Sequence, residues 1–238
     1  MRPLLCFFVL ACFWTYLPAQ TTAYVIKSGL VLGSQKWDNS FDRQILAKYH
    51  AAIAIETVDE EEDKNALFVQ LGYHVKGSAT RYRFLYQGGG AETFSQEFHF
   101  NNISLMVAAK QKKPFGTNQR LFYFGGIRGD YTLSTNIDNL VQPNAYSYLI
   151  YPYIGGVQRF IFGLSLGGGL EFKFGELLGG QIELSLNPDI TPQYKQAAIN
   201  NVIIPGQGNT TIPERRIKNT TLELSLGLRL LRKVVYED

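Results

Sequence analysis

Apolar residues recur at every second position from Phe160 to Phe174: Phe160, Phe162, Leu164, Leu166, Leu170, Phe172 and Phe174, with Gly168 completing the row. The positions between hold Ile161, Gly163, Ser165, Gly167, Gly169, Glu171 and Lys173. After Gly175-Glu176-Leu177-Leu178-Gly179 the alternation resumes, with Ile182, Leu184 and Leu186 set against Gln181, Glu183, Ser185 and Asn187. Successive side chains on a strand point to opposite faces, so the pattern predicts a hairpin that is greasy on one face and small or polar on the other. Its first strand, of about 14 residues, would be roughly 46 Å long at ~3.3 Å per residue, far beyond the usual five or six residues. Long strands with one face apolar throughout suit a barrel whose outside meets lipid.

Six further strands follow from the same reading. The first runs from Tyr24 to Ser34, with Ile26, Leu30 and Leu32 outward and Lys27, Gly29, Val31 and Gly33 inward. The second, Tyr49 to Glu56, and the third, Ala66 to Lys76, place Glu56, His74 and Lys76 inside. The fourth spans about Phe98 to Lys110. The fifth, Arg120 to Leu133, has Phe122, Phe124, Arg128 and Asp130 inside. With the hairpin as strands six and seven, the eighth sets Leu222, Leu224, Leu226, Leu228 and Leu230 against Glu223, Ser225, Gly227 and Arg229. The expected fold is therefore all-β, an eight-stranded antiparallel transmembrane up-and-down barrel. Connections after odd strands are long, about 13 to 30 residues, and those after even strands short, about 5 to 9, as in outer-membrane barrels with short periplasmic turns and longer external loops. Both termini are then periplasmic.

The N-terminus changes the picture of the domain. Arg2, an apolar run from Leu4 to Leu17 and Pro18-Ala19-Gln20 describe a secretory signal peptide. The expected organisation is a cleaved signal peptide over 1–20 and a barrel domain over 21–238. Both cysteines, Cys6 and Cys12, lie in the leader, so a disulfide scaffold, a cysteine nucleophile and a thiolate metal site drop out of the mature chain. The formal charge of +3 is too small to point to nucleic acid.

Candidate chemistry is sparse. The inward list holds Lys27, Glu56, His74, Lys76, Arg128, Asp130, Glu171, Lys173, Glu183, Glu223 and Arg229. An eight-stranded barrel is just wide enough for its side chains to fill, and buried charges need partners. Glu171, Glu183, Glu223 and Arg229 sit on the last three strands, and Lys27 on the strand that closes against them. These five are expected to form one lumen charge network. His50, His74 and His99 stand in no serine or carboxylate motif, with His74 and His99 near outer strand ends, and they lack metal-ligand spacing. The acidic run Asp59 to Asp63 has neither the glycine nor the spaced ligands of a calcium loop. Gly88-Gly89-Gly90 opens no helix, so it is no phosphate loop. Trp37, Tyr146, Tyr148, Tyr151 and Tyr153 read as an interfacial girdle or as a stacking surface for glycans. Asn209-Thr210-Thr211 and Asn219-Thr220-Thr221 fit the glycosylation triplet by coincidence. No catalytic, metal or cofactor site is expected.

In order and spacing the strands resemble the PorT-like outer-membrane β-barrel proteins of Bacteroidota. The stretches that carry the resemblance are Lys27-Ser28-Gly29-Leu30-Val31-Leu32-Gly33 and Leu71-Gly72-Tyr73-His74-Val75-Lys76-Gly77. Asn102 to Lys110 and Phe124-Gly125-Gly126-Ile127-Arg128-Gly129 continue it. The resemblance implies a structural or interaction protein of the outer membrane, not an enzyme, and one branch of that family supports protein secretion. Its expected partners are outer-membrane lipid, with envelope or secretion proteins or glycans at the external loops. The competing readings are a barrel-rim enzyme acting on lipid and a narrow channel.

Overall fold

The computed structural model describes residues 21–37, 43–58, 64–85, 89–139, 154–204 and 208–232. The proposed signal peptide, the acidic run Asp59 to Asp63 and Tyr146, Tyr148, Tyr151 and Tyr153 lie outside these residues.

Seven antiparallel strands follow one another around the wall: β1 (Thr21–Trp37), β2 (Arg43–Val58), β3 (Asn65–Leu85), β4 (Ala91–Pro114), β5 (Gln119–Thr135), β6 (Phe160–Lys173) and β7 (Leu178–Pro188). Beyond β7 come β8 (Tyr194–Gln196), a separate hairpin of β9 (Ile199–Ile204) and β10 (Gly208–Ile212), and β11 (Arg215–Arg232). β11 pairs with β7 on one side and with β1 on the other, from Thr22↔Arg232 to Trp37↔Ile217. That last ladder closes the sheet, so β1 to β7 and β11 form an eight-stranded up-and-down barrel with no free edge.

The alternation read from the sequence sorts the faces. Leu222, Leu224, Leu226, Leu228 and Leu230 all point out, as do Ile26, Leu30, Ile53, Leu71, Leu105, Ile127, Phe162 and Leu184. Exposures such as 65% for Leu226 and 68% for Ile127, repeated around the ring, make an apolar belt that water would not tolerate. Leu222 to Leu230 covers about 26 Å along the strand, or roughly 20 Å along the normal at the ~40° tilt of such barrels, close to the ~25 Å apolar band of membrane barrels. This is a transmembrane barrel.

Two expected loops are sheet instead. β3 and β4 run past the barrel as one continuous ladder to Leu85↔Ala91, sheet where a long loop was expected. The stretch between β7 and β11 carries β8, bonded to β11, and the β9–β10 hairpin. The physical reason is shared. Beyond the apolar belt the outward face meets water instead of lipid, so the ladder persists while the apolar outward row that announces it does not.

Candidate functional site

The lumen is the place where ionisable groups converge, and it is built in tiers. At the end of the barrel where Thr22 pairs with Arg232, β2, β4, β6 and β11 bring Glu56, Lys110, Lys112, Glu171 and Arg229 together, all buried. Lys110 Nζ donates to Glu56 Oε2 at 3.0 Å and also to Glu171, while Lys112 pairs with Glu56. Arg229 Nη2 reaches Glu56 Oε1 at 3.3 Å and its Nη1 lies 3.9 Å from Glu171 Oε2.

Above them sits an apolar layer of Val25, Ala54, Phe68, Met106, Ala108, Phe122 and Phe124. Phe122 and Phe124 fit because β6 presents glycine opposite them. A Cβ on Gly167 would lie 2.6 Å from the Phe124 ring, and one on Gly169 would lie 2.8 Å from the Phe122 ring. The third tier is Lys27 with Glu183, Nζ to Oε1 at 2.5 Å.

Higher still, His74 Nδ1 lies 3.1 Å from Glu223 Oε1, and His50 Nε2 lies 3.1 Å from Ser225 Oγ. Lys76 then donates to Asp130 Oδ2 at 2.5 Å and to Asp189 Oδ1 at 2.6 Å. Arg128 bridges the same two carboxylates at 3.0 and 2.8 Å. Lys76 is 0% exposed, so its charge is tolerable only because two carboxylates face it.

The opposite mouth, on the side of the long connections, is closed by polar and aromatic groups. Asn219 Nδ2 donates to Asp189 Oδ2 at 2.9 Å, and Gln35 Nε2 to Asn219 Oδ1 at 2.9 Å. Trp37, Phe98, Tyr194 and Ile217 pack over them, with Trp37 and Phe98 edge-to-face at 4.9 Å between centroids. The Arg43 guanidinium covers the Trp37 ring at 3.5 Å. A bridge between Val157 and Tyr194, with the Gln158 N–H donating to Gln193 O at 2.8 Å, ties the segment entering β6 to β8 across the opening.

The five residues expected to share one network are all in the lumen, but in three groups. Lys27 pairs with Glu183, Glu171 and Arg229 join the cluster around Glu56, and Glu223 meets the two histidines. The partners that complete them, Lys110 and Lys112, were missed. Yet they continue the inward parity of β4, which was there to be read. Lys173 is a correction: it ends β6 and is exposed.

His74 is inside, as its parity on β3 predicts, but the extended β3 and β4 put it and His99 well short of the strand ends. His50 and His74 sit deep in the lumen beside Ser225 and Glu223, while His99 lies half-buried on the outer part of β4. Ser225, His50 and Glu223 have the composition of a catalytic triad, but His50 Nδ1 is 3.9 Å from Glu223. The adjoining cavity, lined among others by Gln70 and Ser165, is about 10 Å³, room for a water and not for a substrate carbonyl. Trp37 is not an interfacial girdle residue but part of the inner cap, and Asn219, buried in the lumen, is closed to glycosylation. Among the described residues no group of three or more His, Cys, Asp or Glu could hold a metal ion.

No family model matches the chain, and no curated relative matches it. Among solved structures it is similar to Neisserial surface protein A at 11% identity, over 87% of this chain and 97% of that one, with a TM-score of 0.42. It is similar to Ail of Yersinia pestis, solved with the heparin analogue sucrose octasulfate, at 12% identity over 88% and 99%, TM-score 0.38. It is also similar to the outer membrane protease OmpT of Escherichia coli at 9% identity over 90% and 97%, TM-score 0.38. The barrel assignment rests on the chain's own ring of strand pairs.

Proposed function

We propose that this is a non-conducting outer-membrane barrel whose work is done by its external surface, exported through a signal peptide over 1–20 that is then removed. The observation that carries the reading is the lumen, filled from Glu56 to Trp37 by paired charges and packed rings. A channel needs an open path, and an enzyme needs a reachable reacting atom. What the chain elaborates instead lies at one end: the β3–β4 extension, β8 and the β9–β10 hairpin. Rigid barrels that carry long elements on one side place contacts there. In the finer reading the protein is PorT-like and supports protein secretion or envelope assembly, on the strength of the strand motifs above. No cofactor is invoked.

Two measurements test this. A membrane-impermeant maleimide should label Asn209→Cys on whole cells and leave Gly175→Cys in the β6–β7 turn unlabelled until the cells are permeabilised. The reverse pattern would overturn the orientation. Disrupting the gene should reduce the set of proteins released to the medium. An unchanged set would remove the secretion role while leaving the barrel reading standing.

A further inference from the structure

On the outer wall, two pairs of like charges face each other directly across strands. Lys36 on β1 is the cross-strand partner of Lys218 on β11, and Arg216 on β11 is the partner of Lys195 on β8. All four side chains are exposed on the outside of the wall. Like charges directly opposite destabilise a ladder, so two consecutive pairs call for an external counter-charge. Among the described residues, Glu214 meets Arg216 at 2.8 Å, whereas Lys36, Lys195 and Lys218 make no salt bridge. The hydrogen bond from Arg216 holds the Glu214 carboxyl below its usual range. Among the described residues, three of the four cations therefore have no salt-bridged carboxylate.

Their height says what they meet. The belt on these strands ends at the pair Leu32↔Leu222; Ser34↔Thr220 follows, then Lys36↔Lys218. Four residues at ~3.3 Å each, tilted by ~45°, put Lys36 roughly 9 Å beyond the last leucines, and the headgroup layer adds about 5–7 Å per leaflet. Lysine stems long enough to bend back bring their ammonium groups into that layer. Directly beneath lie Ile26, Leu30, Leu32 and the leucines of β11, a smooth strip suited to acyl chains.

We infer that Lys36, Lys195, Arg216 and Lys218 form a binding site for the phosphate groups of an outer-leaflet lipid whose acyl chains lie on the leucine strip. The inference rests on the orientation proposed above. Lysine serves such a ligand as a point charge, without the planar fork a carboxylate demands.

The test uses the full chain expressed with its own N-terminal segment, extracted from membranes in maltoside detergent and titrated in mixed micelles with diphosphorylated lipid A. Dephosphorylated lipid A and inorganic phosphate serve as comparators. The wild type should prefer the phosphorylated lipid. K36Q/K195Q/K218Q should lose on the order of a hundredfold in affinity for it, about fivefold per lysine. K218R should bind like wild type. Equal affinity for both lipids, or inorganic phosphate displacing the lipid at like concentration, would overturn the site. Gel mobility before and after boiling is read on the same samples. A heat-dependent shift without lipid preference sinks this inference alone, whereas loss of the shift in the wild type sinks the membrane barrel itself.

Discussion

Lys27 and Glu183 meet 2.5 Å apart in the lumen although they stand on β1 and β7, with β11 between them. The pair spans the seam where the chain's two ends close the ring, so it reports on closure as well as on charge. Removing one partner leaves a buried uncompensated charge. Glu183→Ala should therefore destabilise the detergent-folded barrel by about 3–5 kcal/mol in urea unfolding. The double variant K27M/E183L should return to within about 1 kcal/mol of wild type, since an apolar pair of similar volume replaces both charges.

Packing between β5 and β6 makes a second prediction. Gly167 stands against the Phe124 ring, with no room for a Cβ. Gly167→Val should cost about 1–3 kcal/mol by overpacking, and Phe124→Ala about 3–5 kcal/mol by cavity formation. Together they should cost clearly less than the sum, because the valine occupies the space the ring leaves. Additive losses in the same unfolding assay would count against the contact.

The filled lumen predicts electrical silence. In planar bilayers the protein should give no steady open-pore conductance over its lifetime in the membrane. Lasting ohmic steps from wild-type protein would mean that the charge tiers rearrange in lipid, and the non-conducting reading would fall.

Trp37 offers an optical probe of the cap it forms with Phe98, Tyr194 and Ile217. The chain has two tryptophans, Trp14 and Trp37, so removal of residues 1–20 leaves Trp37 alone. Held between Phe98 and Arg43, it should emit in the blue and resist iodide quenching. Phe98→Ala should red-shift the emission and raise the quenching several-fold. Free quenching in the wild type would show the mouth open.

Most of the barrel was legible because its wall separates lipid from a packed interior. That contrast forces period-two alternation, and Leu222 to Leu230 on β11 is its plainest case. Legibility failed where the contrast vanishes. Beyond the belt the outward face meets water instead of lipid, while Ser78, Thr80, Tyr194 and Gln196 stay buried inside, so β8, the β9–β10 hairpin and the outer parts of β3 and β4 carry no apolar outward row. The lumen was half readable. Parity placed Lys27, Glu171, Glu183, Glu223 and Arg229 inside, but which charge meets which depends on the stagger between strands, and that is absent from any one strand's pattern. His50 shows this best: its height on β2 brings it to Ser225 on β11 across 175 residues of chain.

The central claim is a closed barrel in a membrane, and gel mobility with and without boiling tests it most directly, alongside far-ultraviolet circular dichroism in detergent. A β-rich spectrum with faster migration of the unboiled protein is the predicted result. A water-soluble monomer whose mobility ignores boiling would contradict the account at its base.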